Sequence, residues 1–177
     1  LDARRPRIRM GRPLADAAVL ELTHNVYGTR RLLCEGHPRL LFTENETNTR
    51  RLFGDTFGPR YVKDSFNDYI VHGDEGAVSP AQVGSKAAAH YAISVPAGGT
   101  WSIRLRFTNA NSDDSLAWDV CDKTLALRRQ EADEFYAGLA SPGLSQDAQQ
   151  VQRQAFAGLL WSKQFYHYDV KRWLTGD

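Results

Sequence analysis

The sequence predicts a mixed fold, mainly β and then α, in which part of an antiparallel β-sandwich is followed by a helical hairpin. Two observations carry this prediction. In residues 86–109 apolar and polar residues alternate with a period of two, as they do in strands with one buried face. After a polar stretch at residues 109–115 the period changes to about 3.6, which is typical of amphipathic helices.

The composition limits the classes of partner. Of the 177 residues, 42% are hydrophobic and 24% are charged, and the formal net charge is +1. So small a charge supplies no general attraction to nucleic acid or to an anionic membrane. No apolar run approaches the roughly 18 residues that a membrane span requires. We therefore expect no nucleic-acid or membrane partner, and a cytoplasmic location unless a signal peptide has been lost.

The N-terminal part should begin with a connector and continue with short strands. Residues 1–13 are rich in arginine but have no aromatic residues interleaved for stacking on bases, so a solvated connector is expected rather than a nucleic-acid arm. Apolar runs predict strands at residues 18–23, 26–34 and 40–42. Residues 61–72 are expected to pack their aromatic rings on these strands.

Residues 43–54 are dense in helix-capping side chains. They predict a short helix that ends near Phe53, with Gly54 as its stop. The acidic and amide residues at positions 44–48 also offer oxygen ligands for a hard cation, but the spacing and glycine of a calcium loop are missing. A structural hydrogen-bonding role is therefore the expectation for them.

A hairpin is predicted from two alternating segments, residues 86–95 and 100–109, joined by a turn at residues 96–99. The second segment should bury one face and expose the other. Its expected buried residues are Trp101, Ile103, Leu105 and Phe107, while Arg104 and Arg106 are expected in solvent.

The helical part is predicted to contain an amphipathic helix over residues 119–139 and a second helix that starts near Ser145. The predicted domains are the end of the β-sandwich at 1–115, a linker helix within 116–144, and one further helix within 145–177. Because the sequence contains no disulfide framework or zinc spacing, Cys34 and Cys121 are expected to be reduced, buried thiols.

The last seventeen residues, 161–177, hold two tryptophans, three other aromatic residues, a histidine and two aspartates. Chain ends are usually small and polar. Flat rings cover the apolar faces of pyranoses, and amides, imidazoles and carboxylates bond their hydroxyls, so this mixture suggests a sugar subsite. The candidate substrate-binding residues are Trp161, Gln164, His167, Tyr168 and Asp169. The alternative is that Trp161 and Trp173 belong to a core and that Asp169 is solvated.

Five segments, at residues 40–54, 61–73, 84–99, 128–139 and 161–177, resemble successive landmarks of bacterial proteins in glycoside hydrolase family 63 and its mannosylglycerate-hydrolase-like relatives. The resemblance implies a β-sandwich, a linker helix and an (α/α)6 barrel, which the last helix of this chain would open. It also implies an inverting α-glycosidase that acts on α-glucosides, α-mannosides or mannosylglycerate-like compounds without a metal or organic cofactor.

In such proteins the general-acid Asp and the general-base Glu lie downstream of the matched segments. The resemblance therefore implies that this chain has no catalytic residue, that it is inactive alone, and that its partner is the remainder of its own barrel. Inverting enzymes need two carboxyl groups roughly 6.5–9.5 Å apart. Tyr168 and Asp169 match a pair that contacts the sugar, with Asp169 as a hydroxyl anchor. The rival hypothesis is a non-catalytic β-sandwich module for carbohydrate binding or protein interaction.

Overall fold

The computed structural model describes residues 5–110, 117–162 and 169–176. The contacts divide the chain into two compact units, Leu1–Cys121 and Asp122–Asp177. The described part of the first unit is mainly β, and that of the second is helical. The predicted change from strands to helices is therefore confirmed.

The strands of the first unit form two antiparallel sheets, in agreement with the predicted fold class. The strands are β1 (Arg7–Met10), β2 (Ala17–His24), β3 (Gly28–Glu35), β4 (Arg39–Thr43), β5 (Val83–Gly84), β6 (Lys86–His90) and β7 (Leu105–Asn109). The larger sheet has the order β5-β1-β2-β3-β7, and the smaller sheet pairs β4 with β6.

Helices follow the strands and also connect them. They are α1 (Thr49–Phe53), α2 (Ser65–His72), a 3-10 turn (Glu75–Ala77), α3 (Ala117–Leu139), α4 (Gln146–Trp161) and α5 (Val170–Thr175). Within the described ranges, no helix has the length and apolar character needed to cross a membrane.

The larger sheet buries residues on both faces, because neighbouring residues of β2 point in opposite directions. On one face Leu20 packs with Ile8 and with Phe42 of the smaller sheet, so this cluster lies between the two sheets. On the other face Val19 and its neighbours pack against Trp118, in the first turn of α3. The start of α3 is thus part of the core of the first unit.

The smaller sheet has a core of its own on its second face. Leu41 of β4 packs with Tyr69 of α2 and with Val78, while Phe66 and Ala88 lie at the edge of this cluster. The prediction that residues 61–72 pack their rings on the strands is therefore confirmed.

The expected connector at the N-terminus is partly wrong, because residues 7–10 form β1. Ile8 is buried and lies opposite Leu22 of β2. Arg9 points outward and forms an ion pair with Glu21 at 2.6 Å. The alternation of arginine with an apolar residue therefore marks a strand with one face toward solvent, although the arginine content predicted a connector.

The capping prediction for residues 43–54 is confirmed. Asn48 is the N-cap of α1, and its Oδ1 accepts the Arg51 N–H at 3.0 Å. Gly54 closes the helix in the left-handed conformation, with φ of 71°. Glycine adopts this conformation without a steric penalty from a Cβ atom.

The predicted hairpin is wrong in its pairing, although its turn is present. Gly99 N–H donates to Pro96 O at 2.9 Å, which closes the turn at residues 96–99. The two strands, however, separate: β6 pairs with β4 in the smaller sheet and β7 pairs with β3 in the larger one. The segment is a crossover between sheets, and alternation alone does not identify the pairing partner of a strand.

The predicted burial of β7 is also wrong. Leu105 and Phe107 are exposed, as are Trp101 and Ile103 in the preceding segment. Arg104 and Arg106 are only partly exposed. Arg104, which directly precedes β7, was expected in solvent. It instead forms an ion pair with Glu35, and its guanidinium lies over the ring of Trp118.

Candidate functional site

The C-terminal candidate site is only partly within the described residues. Gln164, His167 and Tyr168 lie outside them, so their predicted sugar-binding role stays a prediction. Trp161 and Asp169 are described, and they stand on either side of the stretch 163–168.

Trp161 is the last residue of α4. Ser145 begins this helix by accepting the Ala148 N–H on its hydroxyl at 3.2 Å, as the sequence predicts for an N-cap. Ser162 ends it by donating its N–H to Gly158 O at 2.9 Å. The Trp161 side chain is 87% exposed, so it does not form a core in this chain. Trp173 in α5 is also exposed, and the choice between a sugar-binding and a core role for the two rings stays a prediction.

Asp169 is the N-cap of α5. Its Oδ1 accepts the Arg172 N–H at 3.2 Å, and its backbone oxygen accepts the Trp173 N–H at 3.0 Å. A carboxylate in this position satisfies an otherwise unpaired amide and interacts favourably with the positive end of the helix dipole. The residue is exposed, so an oriented carboxylate is presented to solvent.

A cleft of about 160 Å³ lies between helices α3 and α4 and is lined by polar and apolar side chains of both. Arg153 of α4 forms an ion pair with Asp133 of α3 at 2.6 Å, and its guanidinium lies 5.0 Å from the ring centre of Tyr136. Large apolar side chains on both helices nevertheless remain exposed, among them Leu125, Phe135, Val151, Leu159 and Leu160. Helices with so much exposed apolar surface generally require further cover.

A second candidate site, which the sequence did not reveal, is an open groove of about 440 Å³ in the first unit. It combines two aromatic rings with polar side chains. Tyr91 meets Trp101 edge to face at 5.4 Å and donates its hydroxyl proton to Glu35 O at 2.8 Å. His37 and His90 line the same groove. Burial, with smaller contributions from Cys34 and Glu35, raises the pKa of Tyr91 to about 12, so its phenol stays protonated at neutral pH.

Glu35 forms one wall of this groove, held by an ion pair. Its carboxylate accepts the backbone N–H of Arg104 at 2.9 Å and the Nε–H of the same residue at 2.9 Å. The hydrogen bond from the Arg104 side chain is the largest cause of a lowered Glu35 pKa, against a smaller opposing effect of burial. The wall is therefore anionic and already engaged with Arg104.

Residues 44–48 have structural partners. Glu44 accepts the Ser85 hydroxyl proton, and the Ser85 Oγ in turn accepts the Asn45 N–H at 2.9 Å. Glu46 forms an ion pair with Arg5. The expected hydrogen-bonding role is thus observed. In the part of the chain that the structure describes, no group of three or more His, Cys, Asp or Glu side chains could hold a metal ion.

The two cysteines are free thiols, and only Cys34 is fully buried. Burial raises the pKa of the Cys34 thiol. Cys121 is partly exposed and packs at the edge of the cluster around Val19 and Trp118. The prediction that both thiols are buried is therefore confirmed for Cys34, whereas Cys121 is only partly buried.

Comparison with known proteins finds a relative that is similar in sequence. An uncharacterized protein of Saccharomyces cerevisiae, YMR196W, is 39% identical to the chain over 150 residues. The aligned region covers 79% of this chain but only 14% of the yeast protein. The chain therefore spans a small part of a much longer relative. No family model matches the chain, and no solved structure matches it.

Proposed function

We propose that the chain is part of a glycoside hydrolase, an inverting α-glycosidase for α-glucosides, α-mannosides or mannosylglycerate-like compounds. In this proposal the catalytic Asp and Glu belong to polypeptide outside the chain. The chain contributes the end of a β-sandwich, a linker helix and the first helix of an (α/α)6 barrel. Its own residues bind sugar hydroxyls and do not transfer protons.

The order of elements supports this assignment. Antiparallel sheets come first, α3 follows, and α4 comes last before the aromatic stretch. The exposed apolar residues of α4, such as Leu159 and Leu160, are the kind of surface that neighbouring barrel helices would cover. The much greater length of the yeast relative leaves room for such a barrel.

The orientation of Asp169 is the observation that carries the proposal. The α5 backbone fixes this carboxylate through the Arg172 N–H, in an exposed position that follows the exposed ring of Trp161 along the chain. An exposed carboxylate with a fixed orientation can accept hydrogen bonds from sugar hydroxyls without first losing side-chain freedom. The hydrogen bond that the Asp169 carboxylate accepts from the Arg172 N–H also explains why a short polar residue stands at this position.

The test is hydrolysis of a panel of α-linked glucosides and mannosides by the intact longer protein, with product anomers followed by NMR. The proposal expects turnover with inversion, and expects Asp169→Ala to weaken it. Asp147→Ala is the matched control, because Asp147 is an exposed acid in the first turn of α4. Equal losses in the two variants would contradict a sugar contact at Asp169.

A second candidate function, a non-catalytic carbohydrate-binding module, is favoured by the groove at Trp101. The exposed Trp101 ring, Tyr91 and the two histidines combine an apolar face with polar groups. Binding of an oligosaccharide by the 177-residue chain, lost in Trp101→Ala and without hydrolysis by the longer protein, would favour this function. Hydrolysis without binding at the groove would exclude it.

A further inference from the structure

The groove at Trp101 has two walls that are hydrogen-bonded to each other. One wall runs from the end of β3 to the start of β4, and the other consists of the end of β6 and parts of the crossover that leads to β7. The Tyr91 hydroxyl donates across the groove to Glu35 O at 2.8 Å, and Glu35 N–H donates to Arg104 O at 3.1 Å. The fold therefore fixes both walls before a ligand binds, which reduces the loss of freedom on binding.

The carboxylate and the guanidinium that line the groove are both already paired. Glu35 forms an ion pair with Arg104, and Arg39 forms one with Glu75 at 2.9 Å. These charges cancel in pairs, so a charged ligand would have to compete with an existing partner for either of them. The groove is therefore better suited to an uncharged ligand than to a carboxylate, a phosphate or an ammonium group.

The groups that remain for a ligand are polar and stand beside an aromatic ring. The Trp101 N–H and the Ser102 hydroxyl have no hydrogen-bond partner within the described ranges. The Nε2 of His37 lies 3.2 Å from Ala15 O, and because a carbonyl only accepts, this nitrogen must carry a proton. In the neutral ring the Nδ1 of His37 is then an acceptor. The Trp101 ring is 46% exposed, so the groove offers a flat apolar surface together with donors and an acceptor.

We infer that the groove at Trp101 binds a neutral pyranose unit. A pyranose has an apolar face that can cover an indole ring, and its rim of hydroxyls can both donate to His37 and accept from Trp101 or Ser102. The inference rests on the proposed function in taking the ligand to be a carbohydrate, which both candidate functions do. It adds the charge class of the sugar, and it holds whether or not the longer protein hydrolyses glycosides.

The test is an NMR titration of the 15N-labelled 177-residue chain with methyl α-glucoside and with methyl α-mannoside. The titration is run at about pH 7.5, where an ordinary histidine is neutral. The chain has four tryptophans, and Trp101→Phe identifies the indole N–H signal of Trp101 by its loss. We expect this signal to shift in a saturable way with at least one of the two sugars. A Trp101 signal that does not move with either sugar would overturn the inference, even if the signal of Trp161 shifts.

The charge of the ligand is tested with the methyl uronide of the sugar that binds, which has the same ring but carries a carboxylate in place of its CH2OH group. Equal or weaker binding of the uronide is expected, because both ion pairs of the groove are already formed. Tighter binding of the uronide would overturn the assignment of a neutral ligand and would show that Arg39 or Arg104 is available to an anion.

A pair of tryptophan variants tests the role of the ring, with the backbone amide of Ser102 as the reporter of binding. Trp101→Ala is expected to weaken sugar binding by about tenfold or more, because the aromatic surface is lost. Trp173→Ala is the matched control, since Trp173 is a 61% exposed tryptophan of α5 that does not line the groove, and it should leave the affinity unchanged. Equal affinities of the two variants would contradict a sugar on the Trp101 ring.

The binding measurement and the hydrolysis assay can fail separately. A Trp101 signal that responds to sugar, with no hydrolysis by the longer protein, would keep the groove and remove the proposed glycosidase. Hydrolysis by the longer protein with an unresponsive Trp101 signal would keep the glycosidase and remove the groove.

Discussion

The guanidinium of Arg104 lies over the indole of Trp118, with its Cζ atom 5.1 Å from the ring centre. Trp118 stands in the first turn of α3 and packs in the core of the larger sheet. The contact therefore ties the strand region to the helix that follows it. Glu35 completes the arrangement by binding the same guanidinium.

Arg104→Ala should destabilise the chain by about 1–3 kcal/mol, since it removes a charge-assisted hydrogen bond and the ring contact. The measurement is the free energy of unfolding in urea. Arg12→Ala is the control, because Arg12 is exposed and has no charged partner among the described residues. Equal stability of the two variants would show that the Arg104 contacts contribute nothing.

The lowered pKa of Glu35 predicts a pH dependence of stability. Its ordinary value is 4.5, and the folded state lowers it through Arg104. The unfolded chain therefore binds more protons near and below that value, and stability must fall as pH falls. The difference in unfolding free energy between the wild type and Glu35→Gln should be full at about pH 7 and should shrink as acid protonates Glu35. A difference that grows in acid would contradict this.

The two thiols should react at different rates with a disulfide reagent such as DTNB. Cys34 is fully buried and its pKa is raised, so it has little accessible thiolate. Cys121 is partly exposed and should react first in the folded chain. Cys121→Ser should remove the fast phase, and Cys34→Ser should leave it. A fast phase that survives Cys121→Ser would refute this order.

Asp169 should have two separable roles. Asp169→Ala removes the N-cap of α5, a loss that typically costs about 0.5–2 kcal/mol, so the Arg172 amide should exchange faster. Asp169→Asn keeps a good cap and should leave that exchange rate nearly unchanged. If the charged carboxylate binds sugar, Asp169→Asn should still raise KM in the longer protein. An unchanged KM in Asp169→Asn would leave only the capping role.

Local features of the fold could be predicted from the sequence because their causes are local. Asn48 and Gly54 bound α1, and Ser145 starts α4, because caps depend on a few neighbouring residues. The change of period also identified the start of the helical region. None of these predictions depends on tertiary contacts.

Pairing and burial could not be predicted in the same way. The alternation through Leu105 and Phe107 is real, but the strands it predicts belong to different sheets. The partial burial of Arg104, just before β7, depends on Glu35 and Trp118, which are distant in sequence. The groove at Trp101 was missed for the same reason, because it joins residues from separate strands and a crossover.

We propose that the chain belongs to an inverting α-glycosidase and presents a sugar-binding carboxylate. The most direct measurement is hydrolysis of α-linked glucosides and mannosides by the intact longer protein, with the anomeric form of the first product read by NMR. We expect turnover with inversion, weakened in Asp169→Ala and normal in Asp147→Ala. No turnover on any member of the panel, or turnover with retention, would contradict it.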